Sequence, residues 1–348
     1  MEDMKAQAQV WKHIYGFAES LALKCAIELG IADILYEHGQ PMTLSELASS
    51  IPLPSVSQDG LYRVLRYLVH MKLFDLQVDS DGLKKYWLTP ASKLLVKSQE
   101  KNLASFALLI FYEMDAWHHL SAAVEGTVTP FEKCHEGEDL EELFGKDSVI
   151  NRLLSEGMTN LTSLMADALV KGCKKAHILD GVGSLIDVGG STGVAARAIA
   201  KSFPSIKCAV LDLPHVVANA PECSEVTWIE GDMFVSIPKT DVVFMKVRSV
   251  LHDCGDEDSV KILKICKEAI SEKGGKVVIV EIVMDVESSS SPNEITGAKL
   301  NLDMSMLVTP GGKERSEEDW QKLFKEAGYS RYKITPIAAF ESIIEVFP

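Results

Sequence analysis

The sequence predicts an α/β protein in which a parallel, nucleotide-binding sheet follows a largely helical N-terminal region. An apolar run closes in an acid and a glycine turn, Leu185-Ile186-Asp187-Val188-Gly189-Gly190-Ser191-Thr192-Gly193, and a helix-forming run, 194–203, follows at once. That order of strand, tight turn and helix opens a parallel α/β unit, since glycines let the backbone turn sharply and let a ligand come close. After residue 181 strand-like and helix-like runs alternate, whereas residues 1–100 carry apolar side chains at helical spacing. At 348 residues the chain exceeds the comfortable size of one core, so two domains are the first expectation.

In residues 1–100, Leu21, Ala22, Cys25, Ala26, Leu29 and Ile34 recur at helical spacing. Thr43-Leu44-Ser45-Glu46 is a capping box opening a short helix. A further helix over 60–74 places Leu61, Val64, Leu65, Leu68, Val69 and Leu73 on its apolar side. The turn Asp79-Ser80-Asp81-Gly82 then separates Phe74-Asp75-Leu76 from Tyr86-Trp87-Leu88, giving a winged-helix outline. Its second helix carries only Arg63, Arg66 and Lys72 beside an overall charge of −15, so a structural or dimerisation module is favoured over DNA binding.

Residues 101–180 read as a helical connector rich in large, soft side chains: Phe106, Phe111, Tyr112, Met114, Trp117, Phe131, Met158 and Met165. Such residues build core, and methionines also adapt to flat ligands in an apolar pocket. Residues 181–348 carry strand-like runs at 184–188, 207–213, 226–230, 241–247 and 276–284, with late ones at 332–336 and 340–347. Helices are expected over 259–271 and 316–327, the latter capped by Ser316 with Asp319 and closed at Gly328. The stretch 288–292 reads as an exposed loop.

Composition narrows the function classes. The chain is 47% hydrophobic and 24% charged, and a pI near 5.1 weighs against nucleic acid or an anionic membrane as partner. The first fifteen residues lack the basic start and apolar core of a signal peptide. The most apolar run, 103–112, is about half the length of a membrane span. A soluble, cytoplasmic protein is expected. Seven cysteines without a CxxC pair read as reduced thiols, and nine histidines without HExxH give no expectation of a metal.

The chemistry gathers at strand ends. Asp212 closes the second strand, where an acid hydrogen-bonds the ribose hydroxyls of a nucleoside, a feature shared by NAD and S-adenosylmethionine sites. The glycines 189, 190 and 193 do not have the GxGxxG spacing of a pyrophosphate turn. Asp232, with Met233 beside it, suits the amino group and face of an adenine, and three acids at three strand ends suit a cationic ligand better than a diphosphate. Lys246 and then His252-Asp253 follow the fourth strand, and a histidine there is a candidate general base. Glu281 in an apolar strand and Glu314 in a turn would orient its imidazole and stabilise the protonated form if both reach it.

Five ordered motifs carry a resemblance: Asp187-Val188-Gly189-Gly190 with Thr192-Gly193, Asp212-Leu213-Pro214-His215-Val216, Gly231-Asp232-Met233-Phe234, Leu251-His252-Asp253 and Gly311-Gly312-Lys313-Glu314-Arg315. Together the chain resembles the plant caffeic-acid-type O-methyltransferases, which use S-adenosyl-L-methionine and no metal. The stretches 14–20 and 61–68 are especially similar to the branch acting on benzylisoquinoline alkaloids such as norcoclaurine; other branches act on lignans, flavonoids and phenylpropanoids. The resemblance implies a Rossmann-like class I methyltransferase sheet, and a homodimer whose N-terminal regions lend side chains to the partner's substrate pocket. It implies that Gly189, Gly190, Asp212, Leu213, Asp232, Met233 and Lys246 hold the cofactor. By the same resemblance His252 is the base with Glu281 and Glu314 flanking it, and Met114, Trp117, Met158, Asp253 and Met306 line the phenolic substrate's site. Three features depart from the family pattern. Lys246 and His252 stand further apart than usual, Cys254 takes the place of a tryptophan, and Ser191 that of a glycine. The first two predict a displaced histidine or a weaker cofactor site, and so keep a weakened dimer partner as an alternative; an N-methyltransferase or an NAD-dependent oxidoreductase is the separate enzymatic alternative.

Overall fold

The computed structural model describes residues 2–138, 143, 146–246, 250–271, 274–284 and 294–348. They form two compact units, Met1–Tyr112 with Val149–Leu161, and Glu113–Ser148 with Thr162–Pro348. The expected end of a strand at Val247 and the expected loop at 288–292 lie outside the described residues.

In the first unit the helices are Glu2–Ile14, Gly16–Glu28, Ile31–His38, Leu44–Ser50, Gln58–His70, Pro90–Lys93 and Ala104–Tyr112. The capping box forms as expected: the Thr43 hydroxyl accepts from the Glu46 N–H, and the Glu46 carboxylate accepts from the Thr43 N–H. Helix Gln58–His70 buries Leu61, Leu65 and Leu68 in a core with Leu35, Leu47 and Phe74. It ends at His70 rather than 74 because Lys72 turns into the left-handed region (φ 60°) and Phe74 already begins a strand. The strands β1 (Met42–Thr43), β2 (Phe74–Val78) and β3 (Lys84–Leu88) form an antiparallel sheet in the order β1-β3-β2. Met42 stands opposite Tyr86, and Phe74 opposite Leu88. The turn Asp79-Ser80-Asp81-Gly82 predicts the β2–β3 hairpin; β1 is too short to show a period.

The second unit is built on β4 (Ser184–Val188), β5 (Lys207–Asp212), β6 (Val226–Glu230), β7 (Val242–Lys246), β8 (Lys276–Met284), β9 (Arg315–Ser316), β10 (Arg331–Pro336) and β11 (Glu341–Phe347). Their order is β10-β11-β8-β7-β4-β5-β6, with β9 alongside β8. The strands β4 to β8 run parallel, while β11 and β10 are antiparallel additions. The central strands are buried on both faces, which explains their unbroken apolar runs. Their period of two sends Ile186, Val188, Val243, Met245, Val277 and Ile279 to one core with helices Asp256–Ala269 and Glu317–Glu326. Leu185, Val242, Phe244, Val278 and Val280 pack in another, with helix Val194–Ser202 and the Met165–Cys173 part of helix Ser148–Lys175. Helix Asp256–Ala269 starts earlier than the expected 259, because Asp256, Glu257 and Asp258 make a favourable acidic first turn. Among the described residues no helix is long and apolar enough to cross a membrane.

Candidate active site

The parallel strands end together where β4 meets β5 on one side and β7 on the other, the switch point at which open α/β sheets bind ligands. The glycine turn after β4 is tied to its neighbours by backbone bonds. Gly189 N–H donates to the Leu211 carbonyl (2.9 Å) and Gly193 N–H to that of Gly190 (2.9 Å). A Cβ on Gly190 would stand 2.8 Å from the Asp187 carboxyl and 2.9 Å from Val210, so only glycine lies this flat against the sheet. Ser191 has φ 49°, in the region that favours glycine, which is the physical reason a glycine is common there. Its N–H donates to Asp212 Oδ2 (2.8 Å), and the Leu213 N–H donates to Asp212 Oδ1 (2.8 Å). Asp232, exposed beyond β6, accepts from the Phe234 N–H (2.8 Å), with Met233 half-buried beside it.

Asp187 is 1% exposed, and neither carboxyl oxygen reaches hydrogen-bond geometry with a partner among the described residues. Burial pushes its carboxyl well above the usual carboxylate range, while Lys246 and the Ala196 backbone N–H pull the other way. Lys246, closing β7, donates to the Thr162 hydroxyl. A buried carboxyl beneath the Gly189-Gly190 turn, with Asp212 and Asp232 on the next two strand ends, fits the ammonium group, the sulfonium charge and the nucleoside of S-adenosylmethionine.

Beyond β7 the chain reaches His252, 1% exposed. Period two carries Glu281 to the face of Val277 and Ile279, the face on which Leu251 packs. Pairing of β9 with β8, Arg315 opposite Val283, brings Glu314 to the same place. His252 Nδ1 is hydrogen-bonded to Glu314 Oε1 (3.2 Å) and lies 3.9 Å from Glu281 Oε2, while Nε2 lies 3.2 Å from Asp253 Oδ1 without hydrogen-bond geometry. Burial alone would lower the imidazole pKa, but Glu281, the hydrogen bond to Glu314 and the Asp253 charge push it up to about 9. Burial likewise raises the Glu281 carboxyl, with His252 opposing. The acceptor at Nδ1 fixes the proton of the neutral imidazole there and leaves Nε2 without a hydrogen-bond partner among the described residues. The longer Lys246–His252 spacing therefore does not carry the imidazole away from its two glutamates.

The remaining expected residues are placed as follows. Met114 and Trp117 are half-buried in the 3₁₀ stretch Glu113–His119, with Trp117 against Ala116, Phe131 and Val308. Met306 is buried on helix Glu294–Val308, Asp253 adjoins the imidazole, and Met158 lies half-buried on the part of Ser148–Lys175 belonging to the first unit. The sequence pattern alone assigns no individual role to Gly312, Lys313 and Arg315. Each of them contacts the segment bearing His252. His252, Glu281 and Glu314 offer ligand atoms within 4.8 Å of one another, a spacing compatible with a metal as well as with a shared proton.

Residues 117–330 match an O-methyltransferase domain, and residues 11–98 an O-methyltransferase dimerisation domain. The chain is 46% identical to (RS)-norcoclaurine 6-O-methyltransferase of Thalictrum flavum subsp. glaucum, covering 100% of this chain and 98% of that one. It is 44% identical to 3'-hydroxy-N-methyl-(S)-coclaurine 4'-O-methyltransferase of Coptis japonica, covering 99% and 97%. Among solved structures, the calicheamicin-biosynthesis methyltransferase CalO1, bound to SAH, superposes with a TM-score of 0.85 at 25% identity over 100% of this chain and 99% of that one. Human N-acetylserotonin methyltransferase in complex with SAM shares the fold, with a TM-score of 0.83 at 23% identity over 98% and 97%. The chain thus belongs to the O-methyltransferase family, whose members use S-adenosylmethionine, and carries that family's N-terminal dimerisation domain.

Proposed function

We propose that the protein methylates a phenolic hydroxyl of a benzylisoquinoline alkaloid, with His252 as general base. The observation that carries the base assignment is a fully buried imidazole whose Nδ1 is committed to Glu314, with Glu281 alongside. The substrate class is supported by the relatives' names, among them norcoclaurine and hydroxy-N-methylcoclaurine O-methyltransferases. S-adenosylmethionine, when bound, supplies a methyl group on a positively charged sulfur. Gly189, Gly190, Asp212, Leu213, Asp232, Met233 and Lys246 are the residues that would hold it.

The protein's own work is proton management and alignment. A phenol titrates near 10 and a free imidazole near 6.5, so an unaided histidine is a weak base for this proton. Raising the imidazole to about 9 narrows that gap. His252 Nε2 takes the phenolic proton, and Glu281 and Glu314 stabilise the resulting imidazolium, for a contribution on the order of 10²–10⁴-fold. Asp253, Met114, Trp117 and Met306 are the proposed contacts to the aromatic acceptor. Orientation supplies the larger share, up to roughly 7–11 kcal/mol.

We further assign residues 1–100 to a winged-helix-like dimerisation module, 101–180 to a connector and 181–348 to the catalytic domain, in a cytoplasmic homodimer. Exposed Trp11, Ile14, Tyr15 and Phe17 support a partner surface. The test is a panel of alkaloid, lignan and flavonoid phenols incubated with labelled S-adenosylmethionine, products located by NMR. Preferred methylation of a benzylisoquinoline phenol is expected; transfer only to a flavonoid or lignan, or to nitrogen, contradicts the assignment.

A further inference from the structure

Three consecutive residues after the Gly311-Gly312 turn hold the segment that carries His252. The Lys313 N–H donates to the His252 carbonyl (3.0 Å), Glu314 accepts at Nδ1 (3.2 Å), and the Arg315 Nη1 donates to the Leu251 carbonyl (2.6 Å). Gly312 lies so close that a Cβ there would stand 1.8 Å from the His252 carbonyl oxygen, so this is backbone against backbone.

Arg315 is the unusual member. It is 1% exposed, and a buried guanidinium is costly unless its donors are paired. Nη2 donates to the Cys254 carbonyl (2.9 Å), to Asp256 Oδ1 (2.8 Å) and to the Ser259 hydroxyl (3.2 Å), and Nε donates to Asp256 Oδ1 (3.2 Å). Its charge lies over the Trp320 ring at 5.5 Å. The guanidinium therefore spans the carbonyls on either side of the histidine and joins them to the start of the following helix. Asp256 is held from both sides, since Lys313 Nζ pairs with Oδ2 at 2.9 Å. The side chain at 254 is a small thiol and gives the turn no bulky anchor of its own.

We propose that Arg315 is the positioning residue of the base, shaping the 251–256 turn so that Nε2 points at the substrate proton. This inference rests on His252 being the base. The shape matters as well as the charge: a planar fork spans two carbonyls and a carboxylate, whereas a lysine ammonium is a point charge on a flexible stem.

The test compares Arg315→Lys and Asp256→Asn in the full-length protein, using two acceptors of one skeleton. One is an ordinary phenol, and the other carries a nitro group that ionises the reacting hydroxyl at neutral pH. Arg315→Lys is expected to lower kcat at least tenfold on the ordinary phenol. KM, the Kd for S-adenosylmethionine and kcat on the pre-ionised phenol should stay within about threefold. Asp256→Asn should move the same way by less. Equal losses on both phenols, or an unchanged kcat, overturn the inference. If Arg315→Lys fails to fold, Asp256→Asn decides by the same contrast. His252→Ala run alongside separates the two readings. An equal loss on both phenols there overturns the base assignment and this inference with it. A selective loss there beside an unselective Arg315→Lys overturns this inference alone.

Discussion

At the scale of single residues, the site holds three buried titratable groups pushed above their ordinary values, Asp187, His252 and Glu281. An imidazolium accepts no proton, so His252 works as a base only above its raised pKa. The acid limb of kcat/KM is therefore expected well above the free imidazole value, toward about 9, in a pH–rate profile. Glu281→Gln removes the foremost of the charges that raise it and should shift the limb to lower pH; an unmoved limb contradicts this electrostatic account. Asp187 is also raised on folding, but here it is the neutral form that folding favours. Its folded pKa lies above the unfolded one, so the protein gives up stability as pH rises past the usual carboxylate range of about 3.9. Asp187→Asn keeps the shape without the charge. Near pH 8 it should raise the Tm of the ligand-free protein, by roughly 2–4 °C per kcal/mol recovered, while weakening S-adenosylmethionine binding. A lower Tm would show that the carboxylate is better stabilised than its surroundings suggest.

At the scale of elements, the glycine turn and the histidine turn solve different problems. The first must lie flat on the sheet, and its one departure, Ser191 at φ 49°, carries a local cost. Ser191→Gly should therefore stabilise the protein by about 1 kcal/mol in chemical denaturation, with an unchanged or lower result contradicting the strain. The second turn is held from outside, by residues some sixty positions on. This difference explains what could be read in advance. The strands β4 and β8 were legible to the residue, because burial on both faces leaves a mostly apolar run between turn residues, and β6, half-exposed at the sheet's edge, was legible to the same bounds. Glu281 was legible because a carboxylate interrupts such a run. The two-residue strand β1 was not, having no period to show, nor was Arg315, whose role depends on carbonyl oxygens that no side-chain pattern reveals. The unusual Lys246–His252 spacing predicted a displaced base. Pairing of β9 to β8 keeps the imidazole at Glu314, a long-range contact that spacing alone does not encode.

At the scale of the whole molecule, two units divide the labour. The first presents exposed Trp11, Ile14, Tyr15, Phe17 and Leu21, a surface suited to a second copy. Light scattering is expected to give twice the 38.2 kDa of the chain. Phe17→Asp combined with Leu21→Asp should yield monomers; a dimer that survives both changes would place the interface elsewhere. We place the chemistry in the second unit, where a buried histidine would remove the proton while the sheet's strand ends hold the methyl donor. The most direct measurement is single-turnover methyl transfer to a good alkaloid phenol by wild type and His252→Ala, with S-adenosylmethionine affinity determined by calorimetry on the same samples. Loss of the general base is expected to slow transfer on the order of 10²–10⁴-fold with affinity nearly unchanged. A His252→Ala rate within a few fold of wild type would contradict the assignment.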